Sequence, residues 1–195
     1  MLDYELLIQE GAVLRTYRKG EAILKEGGKP RFYFQVVTGE VKMVNTGENG
    51  QEFIQGIFKP GNSFAEPPLF LDVPYPASAI ALADSEVLVL EKAKLLALLA
   101  QHFDLQMGLI KTLSQRVYYK SVMAKEISLY DAGHRILSLI DFLKARDGFT
   151  DKLYPVTLTR QQIADLTGLR VETVIRAIKY LGEKELVQKG RKIYR

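Results

Sequence analysis

The chain has 195 residues, 47% of them apolar and 26% charged, with a formal net charge of +4, no cysteine and two histidines. That balance fits one large domain or two small ones with apolar cores, and argues against disorder. It excludes disulfides, thiolate zinc sites, cysteine-ligated iron–sulfur clusters and a histidine-rich metal centre, so no metal is expected.

The positive charge is uneven. Residues 1–129 hold 14 Lys/Arg against 15 Asp/Glu, and residues 130–195 hold 13 against 8. A basic small domain beside a near-neutral larger one suggests a polyanion partner, although charge alone is equally compatible with a solvated surface. The opening residues Met1-Leu2-Asp3-Tyr4-Glu5 carry acids and lack the basic start of a secretory signal. The longest apolar stretches are too short to span a bilayer. A cytoplasmic protein without membrane contacts is the simplest expectation.

Residues 12–92 read as β structure. Phe32-Tyr33-Phe34-Gln35-Val36-Val37 and Val41-Lys42-Met43-Val44 are rich in aromatic and β-branched residues, and Gly20, Gly27-Gly28, Gly39, Asn49-Gly50 and Pro60-Gly61 punctuate such runs. Asn49-Gly50 predicts a hairpin between Val41–Val44 and Phe53–Phe58. Many short, regularly spaced strands suggest a barrel, sandwich or jelly-roll-like fold. From Phe103 to Ile127 the period changes. Phe103, Ile110, Leu113, Val117, Ala124 and Ile127 form a heptad-like seam, with Gln106 and Lys120 at its remaining positions. A helix of this length, about 37 Å, needs cover for its apolar stripe. A parallel homodimer supplies it; packing on the β domain alone is the alternative. Leu109 and Met123 lie on a flank that could face the β domain.

The last third reads as a compact helical unit. Helices are predicted at His134–Ala145, Thr159–Thr167 and Val171–Glu183, followed by a hairpin of Val187–Gln188 and Ile193–Tyr194 around Lys189-Gly190-Arg191-Lys192. Thr159 with Gln162 forms a capping box, and Gly168 suits a left-handed stop. Ile163, Ala164 and Leu166 give the first helix of the pair an apolar face. Val174 and Ile178 bury the second, leaving Val171, Glu172, Ile175, Arg176 and Lys179 on or near its outward side. This is a winged helix-turn-helix. Arg can donate two bonds to guanine and Glu can accept from the cytosine amino group, so the outward set suits base reading of double-stranded DNA. A surface ion pair between Glu172 and Arg176 is the competing explanation.

These features resemble the Crp/Fnr family of bacterial regulators over nearly the full chain. Lys19-Gly20-Glu21, Glu26-Gly27, Val37-Thr38-Gly39-Glu40-Val41 and Pro60-Gly61-Asn62-Ser63-Phe64-Ala65-Glu66 resemble its cyclic-nucleotide-binding β-roll. Residues 103–128 resemble its dimer helix, and Asp131, Arg135 and Ile136 the start of its DNA-binding domain. The implied fold is α+β: a jelly-roll-like sensor (1–102), a dimerisation helix (103–129) and a winged helix-turn-helix (130–195). The resemblance implies that Glu172 and Arg176 read a G·C pair in each half of a palindrome, flanked by Val171 and Ile175. Val171-Glu172-Thr173 resembles the oxygen-responsive branch. Ile175 departs from the usual Ser or Gly and could touch a thymine methyl. Thr159, Arg160 and Gln161 are expected to hold phosphates, as are Arg170, Lys179 and the wing residues Lys189, Arg191 and Lys192. RNA polymerase is a further expected partner if the protein activates.

In the sensor the pattern breaks. Glu66 matches the glutamate that bonds a cyclic nucleotide's ribose, but Tyr75 and Pro76 stand where an Arg-Ser pair holds the phosphate, in Pro74-Tyr75-Pro76-Ala77-Ser78-Ala79. No cation remains there, and Pro76 lacks a backbone donor. Cyclic AMP is not expected in the usual mode, although Lys120, which with Ser121 matches base-touching helix positions, could partly compensate. Glu66, Tyr75, Ser78, Lys120 and Ser121 are the candidate effector residues. Either the roll takes another small molecule or it is a structural platform for the dimer. His102 reads as a helix-end or surface residue and His134 as packing or capping, so neither suggests haem. A regulatory subunit of an enzyme or channel would need a catalytic or membrane segment, and a winged helix for protein contact would show an apolar outward face. No nucleophile–base set, Walker loop or metal cluster is visible, so no enzyme activity or cofactor is expected.

Overall fold

The computed structural model describes residues 2–182, 185–189 and 192–195, without the side chains of 188, 189 and 192. The chain divides into two compact units, Met1–Ser114 and Gln115–Arg195.

The first unit opens with α1 (Tyr4–Gln9), where the Asp3 carboxylate accepts the Leu6 N–H at 3.0 Å. Then come β1 (Val13–Tyr17), β2 (Ala22–Leu24), β3 (Phe32–Thr38), β4 (Val41–Thr46), β5 (Glu52–Phe58), β6 (Ser63–Phe64), α2 (Glu66–Leu71), β7 (Ser78–Ala81), β8 (Ser85–Glu91) and α3 (Lys92–Gln101). The strands make two antiparallel sheets, ordered β1-β8-β3-β6 and β2-β7-β4-β5. Alternation along the strands builds two cores. Phe34, Val36, Val87 and Val89 of the first sheet meet Leu24, Val41, Met43 and Ala79 of the second. On the opposite face, Tyr33, Leu88 and Leu90 pack with Leu7 of α1 and Leu95, Leu98 and Leu99 of α3. The first sheet is thus covered on both sides, which explains why β8 reads as an unbroken apolar run. The Asn49-Gly50 hairpin forms as predicted, pairing Val41 with Phe58 and Thr46 with Glu52. Gly39 turns β3 into β4 with φ +80°, and a Cβ there would lie 2.4 Å from the Asp84 carbonyl oxygen.

The sequence reading did not predict α1, α2 or α3; only α2 lies well inside the 12–92 region read as β structure. Helix α2 starts Glu66-Pro67-Pro68, where prolines cost little because first-turn N–H groups have no helical acceptor. It is preceded by Ala65, a non-glycine residue in the left-handed region at φ 61°.

Helix α4 (Phe103–Leu129) begins in the first unit, where Leu105 and Leu109 pack against the α3 core, and ends in the second. In the second unit it is followed by α5 (Ala132–Arg146), β9 (Pro155–Val156), α6 (Arg160–Thr167), α7 (Val171–Leu181), β10 (Val187–Lys189) and β11 (Lys192–Tyr194). The short strands form one sheet in the order β10-β11-β9, the first pair being the expected hairpin; β9 was not predicted. Ile136, Leu139 and Ile140 of α5, Ile163 and Ala164 of α6 and Val174 and Ile178 of α7 are all buried. Tyr119 of α4 stacks on Phe142 of α5 with ring centroids 3.8 Å apart.

Candidate nucleic-acid interface and effector region

Helix α6 starts at a complete capping box. The Thr159 hydroxyl accepts the Gln162 N–H at 3.1 Å, and the Gln162 side chain accepts the Thr159 N–H at 2.8 Å. It stops at Gly168, whose φ of 66° turns the chain toward α7. The Gln161 amide donates to Asp165 at 2.7 Å, so one of its two donors is already engaged. Arg160 is half-buried, and desolvation lowers its pKa. Thr159, Gln161 and Arg170 are exposed.

Helix α7 separates its faces by the helical period. Val174, Ile178 and Leu181 are buried, while Glu172, Ile175, Arg176 and Lys179 are exposed and Val171 is half-buried. Ile175 keeps 52% of its surface in solvent. Among the described residues, Glu172 and Arg176 form no ion pair with each other. A groove of about 480 Å³ runs between the start of α5 and α7, lined in part by Asp131, His134, Thr173, Arg176 and Tyr180. Tyr180, four residues after Arg176 on α7, is exposed. Arg191, and the side chains of Lys189 and Lys192, lie outside the described residues.

At the junction of α4 and α5, the Asp131 carboxylate accepts the His134 N–H at 2.9 Å, and Arg135 donates to the carbonyls of Tyr130 and Ile127 at 3.0 and 2.7 Å. These bonds satisfy the end of one helix and the start of the next. His134 stacks on Tyr130 and lies 3.0 Å from the buried Glu126 carboxylate, a packing role. His102 is the exposed C-cap of α3.

Along the α4 seam, Phe103, Ile110, Val117, Ala124 and Ile127 are exposed and Leu113 is half-buried. Val117 keeps 64% of its surface in solvent. Lys120 is exposed, whereas Gln106 turns to α3 and donates to the Leu99 carbonyl at 2.6 Å.

The roll's candidate effector residues are held by their own chain. Glu66 is 0% exposed and its carboxylate accepts the Ser63 hydroxyl. Tyr75 is 5% exposed and sits in the core between the sheets. Its backbone N–H donates to the Gly28 carbonyl at 3.0 Å and its carbonyl accepts the Gly27 N–H at 2.8 Å. Burial pushes the Tyr75 hydroxyl up from its ordinary value, against a lowering backbone bond from Arg31. Ser78 accepts the Glu26 N–H at 3.0 Å, and Asn45 donates to both the Pro76 carbonyl, at 2.6 Å, and the Glu26 carboxylate, at 3.1 Å. Lys120 and Ser121 belong to the second unit, where the Ser121 hydroxyl donates back to the Val117 carbonyl at 3.0 Å.

A two-sheet roll, a long helix and a winged helix-turn-helix whose last helix exposes a polar face are the parts of a DNA-binding regulator. Residues 14–102 match the model of the cyclic nucleotide-binding domain, and residues 134–195 that of the Crp-like helix-turn-helix domain. The cyclic AMP receptor protein of Thermus thermophilus is 28% identical over 177 residues, 90% of this chain and 80% of that protein. The transcriptional activator protein Anr of Pseudomonas protegens is 26% identical over 176 residues, 89% of this chain and 72% of that one. FixK2 from Bradyrhizobium japonicum shares the fold, with a TM-score of 0.76 at 23% identity over 93% of this chain and 91% of its own. The chain belongs to the Crp/Fnr family of bacterial transcription regulators and binds DNA through its helix-turn-helix. Membership of a family of regulators points away from an enzyme. Among the described residues, no helix is long and apolar enough to cross a membrane.

Proposed function

We propose that the protein acts in the cytoplasm as a homodimer on an inverted-repeat DNA site. Residues 1–102 serve as sensor, 103–129 as dimerisation helix and 130–195 as DNA-binding domain. The observation that carries this reading is the face division of α7: Glu172 and Arg176 stand exposed at i and i+4 above buried Val174 and Ile178. Glu172 and Arg176 read one G·C pair per half-site, with Val171 and Ile175 making apolar contacts beside them. Thr159, Arg160, Gln161, Arg170, Lys179 and the wing cations Lys189, Arg191 and Lys192 grip phosphates. The exposed seam of Phe103, Ile110, Val117, Ala124 and Ile127 pairs with its copy. An activator of this kind would also meet RNA polymerase.

Selection of bound duplexes from a random pool tests the reading. The expected product is an inverted repeat with half-site centres about 34 Å, or one helical turn, apart. Sedimentation should give twice the monomer mass, and a monomer that also fails to pair on DNA would remove the dimer.

For the roll, an effector other than cyclic AMP and a ligand-free dimer platform remain the two readings. The burial of Glu66 and Tyr75 by their own chain favours the platform. DNA binding that responds to no metabolite added during the selection supports it, and a response to any one overturns it.

A further inference from the structure

The last residue of the second unit joins three stretches of it. The Arg195 Nε donates to Asp141 Oδ1 at 2.8 Å and its Nη2 to Asp141 Oδ2 at 3.0 Å, a two-pronged bond to α5. Its Nη1 donates to the Glu185 carboxylate at 2.6 Å and carbonyl at 3.1 Å, just before β10. Its backbone N–H and carbonyl pair with Tyr154 at 3.0 and 2.7 Å, beside β9. Both ends of the β10–β11 hairpin are therefore tied to each other and to α5 by one side chain. The hairpin needs such a tie. Its strands have three residues each, and β10 pairs within the sheet only with β11, which is held on its other side by the two-residue β9.

We propose that Arg195 is a positioning residue for DNA binding: a clasp that fixes the angle of the wing, so that the wing's cations meet the phosphate backbone. The inference rests on the wing's role as a phosphate grip set out above. Arg195 does this through Asp141 and Glu185, without contacting DNA itself. A lysine carries the same charge but lacks the fork that spans two carboxylates.

The decisive variant is Asp141→Asn in the full-length protein. Asp141 is exposed, so the change is compatible with folding, which thermal unfolding would verify. Removal of an acidic charge by itself favours DNA binding. Loss of the clasp opposes it. Affinity for a mixed-sequence duplex, measured across a salt series, is the readout, because neutralised phosphates set the salt slope. The clasp predicts weaker binding and a slope flattened by about 1 for each phosphate that the wing no longer reaches, with the base preference at the selected site unchanged. Arg195→Lys should behave like Asp141→Asn. Combining either with Lys189→Ala should give less than the sum of the separate losses. Tighter binding by Asp141→Asn, or full affinity in Arg195→Lys, overturns the clasp while leaving the grip intact. An unchanged salt slope in both Lys189→Ala and Arg191→Ala shows instead that the wing grips no phosphate, and overturns both.

Discussion

Around α7, Glu172, Ile175, Arg176 and Lys179 stand in solvent above Val174, Ile178 and Leu181, whereas in the roll Glu66 and Tyr75 are buried and engaged by their own chain. The same family pattern is present in both regions, yet the groups are disposed in opposite ways. A reading surface works because its polar groups stay hydrated until a partner replaces the water. In the roll, Glu66, Ser78 and the 74–78 segment have already exchanged water for Ser63, Glu26 and Asn45. Groups satisfied internally have less to gain from a ligand, since the ligand must displace bonds of similar worth.

The comparison breaks first at Tyr75. Tyr75→Ala should cost the roll about 3–5 kcal/mol, the usual range for truncating a large buried aromatic, while Tyr75→Phe should cost about 1 kcal/mol for the lost hydroxyl bond. Denaturant titration measures both. A near-neutral Tyr75→Ala would mean that the ring occupies a dispensable space, and the roll would return to the same footing as α7. The next effect is at Arg176. Arg176→Ala should weaken the selected site by about 1–3 kcal/mol per half-site and relax the preference at one G·C pair. Binding to panels of site variants reports it. An equal loss on every sequence would make Arg176 a phosphate contact, and the reading role would move toward Arg170 and Lys179.

Where the sequence was legible, the reason is locality. The Asn49-Gly50 hairpin, the Thr159/Gln162 capping box and the Gly168 stop are each settled within a few residues, and the start of α4 at Phe103 follows from its change of period. The predicted end of α7 at Glu183 extends past the observed helix, which stops at Leu181; Glu183 itself lies outside the described residues. Elements of a few residues stayed hidden. Helix α1 has six residues and β9 two, too short for a period to register. Helix α2 has six residues and begins Glu66-Pro67-Pro68, which leaves no helical period to register. The Arg195 clasp joins residues 54 and 10 positions apart, so only the fold brings them together. Gln106 shows the same limit: its heptad position places it in the seam, yet its amide is bonded to Leu99.

A smaller effect separates the architecture of the reading unit from its chemistry. Thr159→Ala should destabilise the second unit by about 1 kcal/mol, because the Gln162 N–H loses its cap. Thr159→Ser keeps the hydroxyl and should restore stability. If Thr159 also holds a phosphate, the alanine variant loses more DNA affinity than its stability change explains, and the serine variant recovers both. Thermal unfolding beside DNA titration separates the two contributions.

The smallest effect expected is none, from cyclic AMP. A buried phosphate needs a cation or several N–H donors to replace its hydration. Pro76 has no N–H, its carbonyl already accepts from Asn45, and the neighbouring Tyr75 ring is packed in the core. The Asn45 amide that holds Pro76 also contacts the Glu26 carboxylate at 3.1 Å, which brings a like charge toward any anion at this segment. Ser78 retains a hydroxyl proton to donate, but one neutral donor does not offset that repulsion. Calorimetry should therefore show no saturable heat, and the salt dependence of DNA binding should be the same with and without the nucleotide. Micromolar binding, equivalent to about −8 kcal/mol, would mean that the Tyr75–Pro76 segment rearranges on binding to admit the phosphate, and the contrast between a pre-satisfied roll and an open α7 face would fail.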